Sequence, residues 1–552
     1  MKKIVIDPIT RIEGHLRAEV EVDDNGVVKE AWVSGQLFRG IEMILKDRDP
    51  RDAGLLAGRI CGVCTNSHFR AAVSSVEDAY ALKIPKNAEI IRDLIAMALF
   101  IQDHVVHFYH LHILDFVDVT SALQADAKEA SREVLKYSDN PFRSSHIHYE
   151  ETIKKLSKFV KAGKLGPFSN GYWGHKAYKL SPEQNLILLS NYLNALKFQT
   201  DISKAIAIFG GKTPHPQSIV VGGVTSVADM LNPQRLNEYL FIIKDAKEFI
   251  DRAYLPDTKL IASVYRDEMK AGVGRSNGNF MSVGGYEFDD KKLFSSGVIY
   301  NHNFDDIQDF DESKISEEID RAWYQNNSDD NDVKYTDFNQ DGTLKTQKND
   351  DKYSWIKAPR YDGKVMEVGP LARVLISYKR DNPLIKSFVD EFLTSTDLKL
   401  LDLSSSIGRN VARSIESSYI CEYIFKLISN LIQNIKYYDS DTWVKFDFDK
   451  LKKDTKGRVF LEVPRGVLSH FINIKDKKIE NFSVIAPTTW NASPKNFDGI
   501  RGPYEEALVG IRLEDTSKPL EVLRVLHSFD PCLACAVHVL DTNKKELSRF
   551  KI

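Results

Sequence analysis

Arg59-Ile60-Cys61-Gly62-Val63-Cys64-Thr65-Asn66-Ser67-His68 and Asp530-Pro531-Cys532-Leu533-Ala534-Cys535-Ala536-Val537-His538 hold four of the five cysteines in this 552-residue chain. A CxxC turn lets two sulfurs converge on one metal, and two such turns supply four thiolates. The pairs stand near opposite ends of the sequence, so the fold has to bring those ends together. That favours one cooperative unit over a string of independent domains. Soft thiolates select zinc, copper(I), iron–sulfur clusters or a thiolate-rich nickel site over magnesium or calcium. Spacing alone leaves structural zinc, a redox cluster or catalytic metal, and thiol chemistry all open. Zinc ribbons usually separate their pairs by about 15–20 residues, far less than here. A thioredoxin-like site needs one CxxC near a βαβ unit, and neither pair has that setting. Cys421 stands alone in an apolar helical stretch and reads as a packed core residue.

Five cysteines are too sparse for a disulfide scaffold. Basic and acidic residues number 75 and 78, for a formal charge of -3, without the basic excess of a nucleic-acid binder. No apolar run approaches the ~18–20 residues of a membrane span; the nearest, 94–101, stops at Gln102-Asp103. Asp7-Pro8 interrupts the N-terminal MKKIVIDP before a signal peptide can form, so the chain is expected to carry no export address of its own.

LRAEVEV (16–22) and VVKEAWV (27–33) alternate apolar and polar around Asp24-Asn25-Gly26 and predict a β-hairpin, with Asn-Gly suited to φ > 0 positions. Residues 87–118 predict a long helix apolar on more than one face, hence buried, with Asn87 as its N-cap. Further helices are expected over 150–163, 181–208, 233–252, 384–396 and 405–437. Between about 305 and 352 the composition turns to Asp, Asn, Lys and Ser, which reads as a surface insertion. Within it, 337–342 imitates a calcium loop, but Lys348 stands where a bidentate glutamate is needed. Short strands return in VFLEV (459–463), FINIKD (471–476) and NFSVIAP (481–487). The histidines at 104, 107, 110 and 112 are spread around much of a helix, as expected of satisfied core or interface residues rather than metal ligands.

RICGVCTxxH together with DPCxxCxxH resembles the two signature motifs of nickel–iron hydrogenase large subunits. The resemblance runs on through DPITRIEGH (7–15), FRGIE (38–42), DHVVHFYHLH (103–112), GPFSNGYWGH (166–175), GGKTPHPQ (210–217), EVGPLAR (367–373), EVPRG (462–466) and PTTWNASP (487–494). It implies an α+β, predominantly α fold: a long buried helical bundle with peripheral small β-sheets, one domain over 1–538. It also implies reversible heterolytic cleavage of H2 at a Ni–Fe centre. Cys61 and Cys532 would be terminal ligands on nickel, and Cys64 and Cys535 would bridge to an iron carrying one carbon monoxide and two cyanides. Open coordination positions would admit H2, as any catalytic metal site requires.

The proton released from H2 has to leave, and Glu13 matches the family's proton-transfer glutamate. Arg465 matches an arginine over the open face of the metals; a guanidinium keeps its proton and would orient rather than shuttle, with a role as base the alternative. Asp103 and Asp530 match the acidic residues around that arginine. Pro487 and Thr488 match residues beside the cyanides. Glu42, the Val484 carbonyl and His538 match a magnesium site, although imidazole is a less typical ligand for so hard a cation. His68 is implied to lie near a bridging thiolate, not to ligate.

Family members are made with an extension that a maturation endopeptidase clips after the histidine of the second motif, so residues 539–552 are expected to be removed. All four paired cysteines are committed to the metals, which leaves none for an iron–sulfur relay. A small subunit carrying the clusters is implied, with His215 near the interface and a membrane electron acceptor beyond it. The motifs look closest to the uptake class at the periplasmic face of the bacterial inner membrane, exported by a twin-arginine signal on the small subunit. The competing expectations are a non-catalytic electron-transport scaffold, like the related quinone-site subunit of respiratory complex I, and a structural zinc protein.

Overall fold

The computed structural model describes residues 1–536 apart from 39, 165, 170, 289–290 and 325–350. At the N-terminus β1 (Lys2–Ile6), β2 (Leu16–Val22) and β3 (Val28–Gly35) form an antiparallel sheet in that order. β2 and β3 are the expected hairpin, and residues of β2 alternate between buried and half-exposed as a period of two requires. Only Gly26 takes the left-handed conformation, at φ +73. The turn is held instead by Asp23, whose Oδ1 accepts from the N–H groups of Asn25 (2.9 Å) and Val27 (3.0 Å).

The centre is helical. α1 (Thr65–Ala79) leads from the first cysteine pair into α2 (Lys86–Val106), which packs against α3 (Pro182–Gly210) and α6 (Ser406–Tyr437). α4 (Pro233–Phe249) lies against α3 and α6, and α5 (Pro370–Lys379) against α6. The expected helix starts near 181 and 405 carry real caps: Ser181 and Gln184 form a capping box, and Ser405 accepts from the Gly408 N–H. Asn87 is not a cap. Pro85 caps the helix, and the side chain of Asn87, its second residue, donates to Asp439 and Asp441 and accepts from Asn434, tying the start of α2 to the far end of α6.

After Val106 the chain continues as a π-helical turn, His107–His112, and a 3-10 turn, Ile113–Asp115. The widened turn lets several histidines point inward, each with a partner. His104 bonds Glu416 (2.9 Å), His107 the His527 carbonyl (2.6 Å) and His112 the Arg524 carbonyl (3.0 Å). His110 packs edge-on against Tyr192. His104, His107 and His112 are core histidines, and His110 is half-buried beside them. Among the described residues, the run Lys86–Asp115 is the one helix long and apolar enough to cross a membrane, and it is mostly buried inside the protein.

A second antiparallel sheet, β4 (Thr455–Val463), β5 (Gly466–Lys475) and β6 (Lys478–Ile485), packs on α1. It is followed by α7 (Pro487–Asn491), α8 (Leu520–Ser528) and α9 (Leu533–Ala536). Among the described residues, the stretch expected to be a surface insertion, 305–352, is partly built into the core. Residues Ile315–Glu318 pair with Ala358–Tyr361, and Ile319, Ala322 and Tyr324 are buried in the core beside the N-terminal sheet. Lys352 closes its base, donating to the carbonyls of Ile319, Ala322 and Tyr324. Polar composition misled there because, among the described residues, Ile315, Ile319, Ala322 and Tyr324 are few but buried. Residues 337–348, the calcium-loop imitation, lie outside the described residues. Cys421 is a fully buried core residue of α6.

One buried group carries a stability prediction. Asp257 has no cation beside it; burial raises its carboxyl to about 7 despite hydrogen bonds from Tyr109 (2.6 Å) and Asn191 (3.0 Å). The folded protein therefore holds a proton that the unfolded chain releases at the ordinary 3.8. Its contribution to stability falls as pH rises from that value to about 7 and stays lost above it. Asp257→Asn should unfold at a temperature that rises relative to the unmodified protein between about pH 4 and about pH 8, read by thermal unfolding at both.

Candidate metal centre

The N-terminal loop and the C-terminal motif meet as a short parallel bridge between Glu13 and Cys532. The Leu533 N–H donates to the Glu13 carbonyl (2.7 Å), and the Glu13 N–H to the Pro531 carbonyl (3.3 Å). Gly14 permits this approach: at φ +84, a Cβ there would meet the Ala534 nitrogen and the Leu533 Cβ at 2.7 Å each. Gly14→Ala should cost at least about 1 kcal/mol and push the two loops apart. Thermal unfolding and the metal content of the purified variant would show both effects.

The bridge and the start of α1 bring the four sulfurs into one buried nest. All lie within 4.8 Å of one another, with Cys64 to Cys535 and Cys532 to Cys535 at 2.9 Å and Cys61 to Cys532 at 3.4 Å. None forms a disulfide. The Val63 and Cys64 N–H groups both donate to the Cys61 sulfur at 3.2 Å. Burial opposes ionisation of Cys61, but hydrogen bonds from the three other thiols outweigh it and hold this thiol well below its ordinary range. Cys532 and Cys535 are driven far up, by burial first. For Cys64, the hydrogen bonds from Cys532 and Cys535 favour the thiolate, but Cys61 and burial push it up to about 11. Four thiolates this close cannot coexist without added positive charge. The donor set therefore fits soft cations; taken alone, it also suits one tetrahedral zinc, with Zn–S near ~2.3 Å.

Ionisable groups stand around the nest in a way a closed structural site does not need. Glu13 Oε2 accepts from the Ala534 N–H (2.9 Å) and from Cys532 Sγ (3.4 Å). Burial, then the charge of Cys61, raises its carboxyl to about 6, so it can gain and lose a proton near neutrality. Arg465 is buried and pairs with Asp103 (2.9 Å) and Asp530 (3.0 Å), and its Nε donates to the Asp530 carbonyl. Burial disfavours its charge, but Asp530 and Asp103 outweigh that and hold the guanidinium firmly protonated. Burial raises Asp103 to about 7 against the pull of Arg465.

Pro487 and Thr488 open α7 beside the same nest, where Thr488 Oγ1 accepts from the Cys532 N–H (3.2 Å). Glu42 and Val484 are neighbours: Glu42 Oε1 accepts from the Val484 N–H (3.0 Å). His538 lies outside the described residues, as does the segment 539–552. His68 is buried with Nδ1 3.2 Å from His470 Nε2. His215 lies half-buried beside the first motif, bonded to the Gly58 carbonyl and to Thr65.

Residues with no assigned role in the sequence reading hold this arrangement. Arg373 is fully buried, pairs with Glu416 and Glu462, and donates to the carbonyls of Val463 and Pro464, just before Arg465. Arg413 donates to the Ser528 carbonyl (2.6 Å), two residues before Asp530. Arg409 pairs with Glu367. The available signal was charge inside an apolar helical stretch, at 409, 413 and 416 of α6.

A profile described as nickel-dependent hydrogenase matches residues 39–538, and one described as HoxL-like matches 3–34. The quinone-reactive Ni/Fe-hydrogenase large chain of Wolinella succinogenes is 46% identical, over 100% of this chain and 98% of that one. The uptake hydrogenase large subunit of Rhizobium leguminosarum bv. viciae is 42% identical, over 100% and 97%. Among solved structures, the Ni-Fe-Se hydrogenase of D. vulgaris Hildenborough in the reduced state superimposes with a TM-score of 0.78 at 34% identity, covering 97% of this chain and 100% of that one. The reduced, active Ni-Fe-Se hydrogenase of Desulfomicrobium baculatum gives 0.75 at 33%, with the same coverage.

Proposed function

Because the chain belongs to the nickel-dependent hydrogenase family, we propose that Cys61, Cys64, Cys532 and Cys535 hold its nickel–iron centre and that Glu13 accepts the proton of H2. The chain is the catalytic large subunit of an uptake-type hydrogenase, an oxidoreductase acting on H2, and it works with a small-subunit partner. The observation that carries the site assignment is the buried four-sulfur nest with one carboxylate 3.4 Å from a sulfur.

By the family resemblance, Cys61 and Cys532 would hold the nickel, and Cys64 and Cys535 would serve both nickel and an iron that would also take one carbon monoxide and two cyanides. When bound, the centre supplies the Lewis acidity that polarises H2. Everything else falls to the chain. Glu13, raised toward neutrality and fixed by the Ala534 N–H, takes the proton and can release it again. Arg465, held charged by Asp103 and Asp530, orients and stabilises without giving up its proton. Thr488 and Pro487 line the side assigned to the cyanides. Glu42, Val484 and His538 are proposed to hold magnesium, an assignment supported by the contact between Glu42 and the Val484 backbone.

Electrons leave through the partner, for which we propose an iron–sulfur relay passing to a membrane acceptor, a quinone-linked one by analogy with the Wolinella relative. Exposed apolar side chains on the segment leading to and through the first cysteine pair, Leu37, Met43, Ile44, Leu55 and Val63, support a partner surface there, beside His215. The proposed location is the periplasmic face of the membrane, reached by export with the small subunit. Residues 539–552 are proposed to be removed by a maturation endopeptidase, leaving 1–538 as the working domain. The complex I-like scaffold is disfavoured, because that relative lacks the four thiolates.

The test is metal analysis and infrared spectroscopy of the purified heterodimer. Nickel and iron in equal amounts, with cyanide and carbonyl bands, are expected. Zinc alone, or no metal, would sink the assignment.

A further inference from the structure

Two residues before Glu13, Arg11 sits in the left-handed backbone region at φ +55, where L side chains are uncommon. Its guanidinium donates to the Leu111 carbonyl (2.7 Å) and pairs with Asp115. Asp115 is fully buried, and its other carboxylate oxygen lies 2.6 Å from His527 Nδ1. His527 Nε2 in turn lies 2.7 Å from the carbonyl of Thr10. Both ring nitrogens thus face acceptor oxygens, tying the ring to Asp115 on one side and to Thr10 on the other.

The three residues come from three parts of the chain. Arg11 belongs to the loop that delivers Glu13, and Asp115 ends the helical run begun by α2. His527 closes α8, five residues before Cys532. Around Asp115, His112 stands at 3.8 Å and Arg524 donates to its carbonyl (2.8 Å). Burial pushes the Asp115 carboxyl up, but Arg11 and His527 outweigh this and keep it ionised. The loop is therefore anchored twice: at Thr10 and Arg11 by the buried cluster, and at Glu13 by its bridge to Cys532. Only Ile12 lies between the anchors. Loosening the first lets the second rotate, which moves the Glu13 carboxylate relative to Cys532 Sγ.

We propose that Arg11, Asp115 and His527 are positioning residues: their buried clamp sets the distance and angle at which the Glu13 carboxylate faces the metal-binding sulfurs. The proposal rests on the reading of Glu13 as proton acceptor. It predicts that breaking the clamp slows proton removal without emptying the metal site, since no member of the clamp bonds a cysteine.

The experiment compares His527→Gln, Arg11→Lys, Asp115→Asn, Glu13→Gln and the double variant Glu13→Gln/His527→Gln, each as the matured heterodimer. Nickel and iron content, the infrared bands of the centre, kcat and KM for H2, and the solvent deuterium isotope effect are measured. His527→Gln can donate through its single amide nitrogen and so cannot hold both Asp115 and Thr10 as the ring does. It should retain metal, infrared bands and KM, lose about tenfold to a hundredfold in kcat, and show a larger isotope effect. Arg11→Lys keeps the ion pair but loses the second arm to Leu111, and should fall between. The double variant should be no slower than Glu13→Gln, because both act on one group.

A loss proportional to nickel content, with kcat per nickel and isotope effect unchanged, would overturn the proposal, as would additive losses in the double variant. Should Asp115→Asn or His527→Gln fail to assemble, Arg11→Lys carries the same comparison. Glu13→Gln at the unmodified rate overturns the acceptor reading whatever the clamp variants do. Glu13→Gln slow with His527→Gln and Arg11→Lys at the unmodified rate overturns the clamp alone.

Discussion

Cys535→Ser should yield a folded chain that retains little nickel and oxidises no measurable H2. The Cys535 sulfur lies 2.9 Å from both Cys64 and Cys532, so as the proposed bridging ligand it would share a metal with two neighbours. A serine hydroxyl is nearly the same size, so packing in the buried nest survives. It is a hard donor that stays protonated, and soft metals discriminate against it. Loss of an outer-shell partner already costs roughly 10–100-fold in metal affinity or activity; loss of a shared ligand should exceed that. Metal analysis of the heterodimer, H2 oxidation and circular dichroism check the three parts. Activity within about tenfold of the unmodified enzyme, inside that outer-shell range, would show that Cys535 does not bridge.

Glu13→Gln tests the other half of the chemistry and should behave differently. The amide keeps the size of the carboxylate, and its oxygen can still accept from the Ala534 N–H. Nickel, iron and the infrared bands should be retained. What disappears is the proposed base, a carboxyl raised toward neutrality and 3.4 Å from the Cys532 sulfur. General acid–base groups are worth roughly 10²–10⁴-fold, and a loss in that range is expected in H2 oxidation. A rate within a few-fold of the unmodified enzyme would transfer the role of base to Arg465, despite the two carboxylates that hold it charged. The two variants together separate a metal-binding failure from a proton-transfer failure.

The elements with strong local periodicity were readable before any coordinates. The hairpin of β2 and β3, and helices α3, α4 and α6, fall within a few residues of where alternation and helical spacing placed them. Local chemistry fails where a residue answers to a distant partner. Asn87 has the side chain of a cap but spends it on residues 434–441. The stretch after 305 is polar on average, yet among its described residues Ile315, Glu317, Ile319, Ala322 and Tyr324 are buried against the main body.

The four cysteines, Glu13 and Arg465, which the structure brings together, were proposed from motifs because metal ligation and proton transfer demand particular residue types in particular short contexts. Spacing could not choose among zinc, a redox cluster and thiol chemistry; the flanking blocks did that, and the family match agrees with them. How these groups are held was not written locally. Arg373 behind Arg465, Arg413 behind Asp530, and Asp115 with His527 behind Glu13 each bond backbone far away in the chain. A buried cation or carboxylate is tolerable only where a complementary group arrives from another element. No window of sequence contains both partners. The chain alone thus specifies the candidate atoms for the chemistry, while the packing of distant segments decides their distances and their charges.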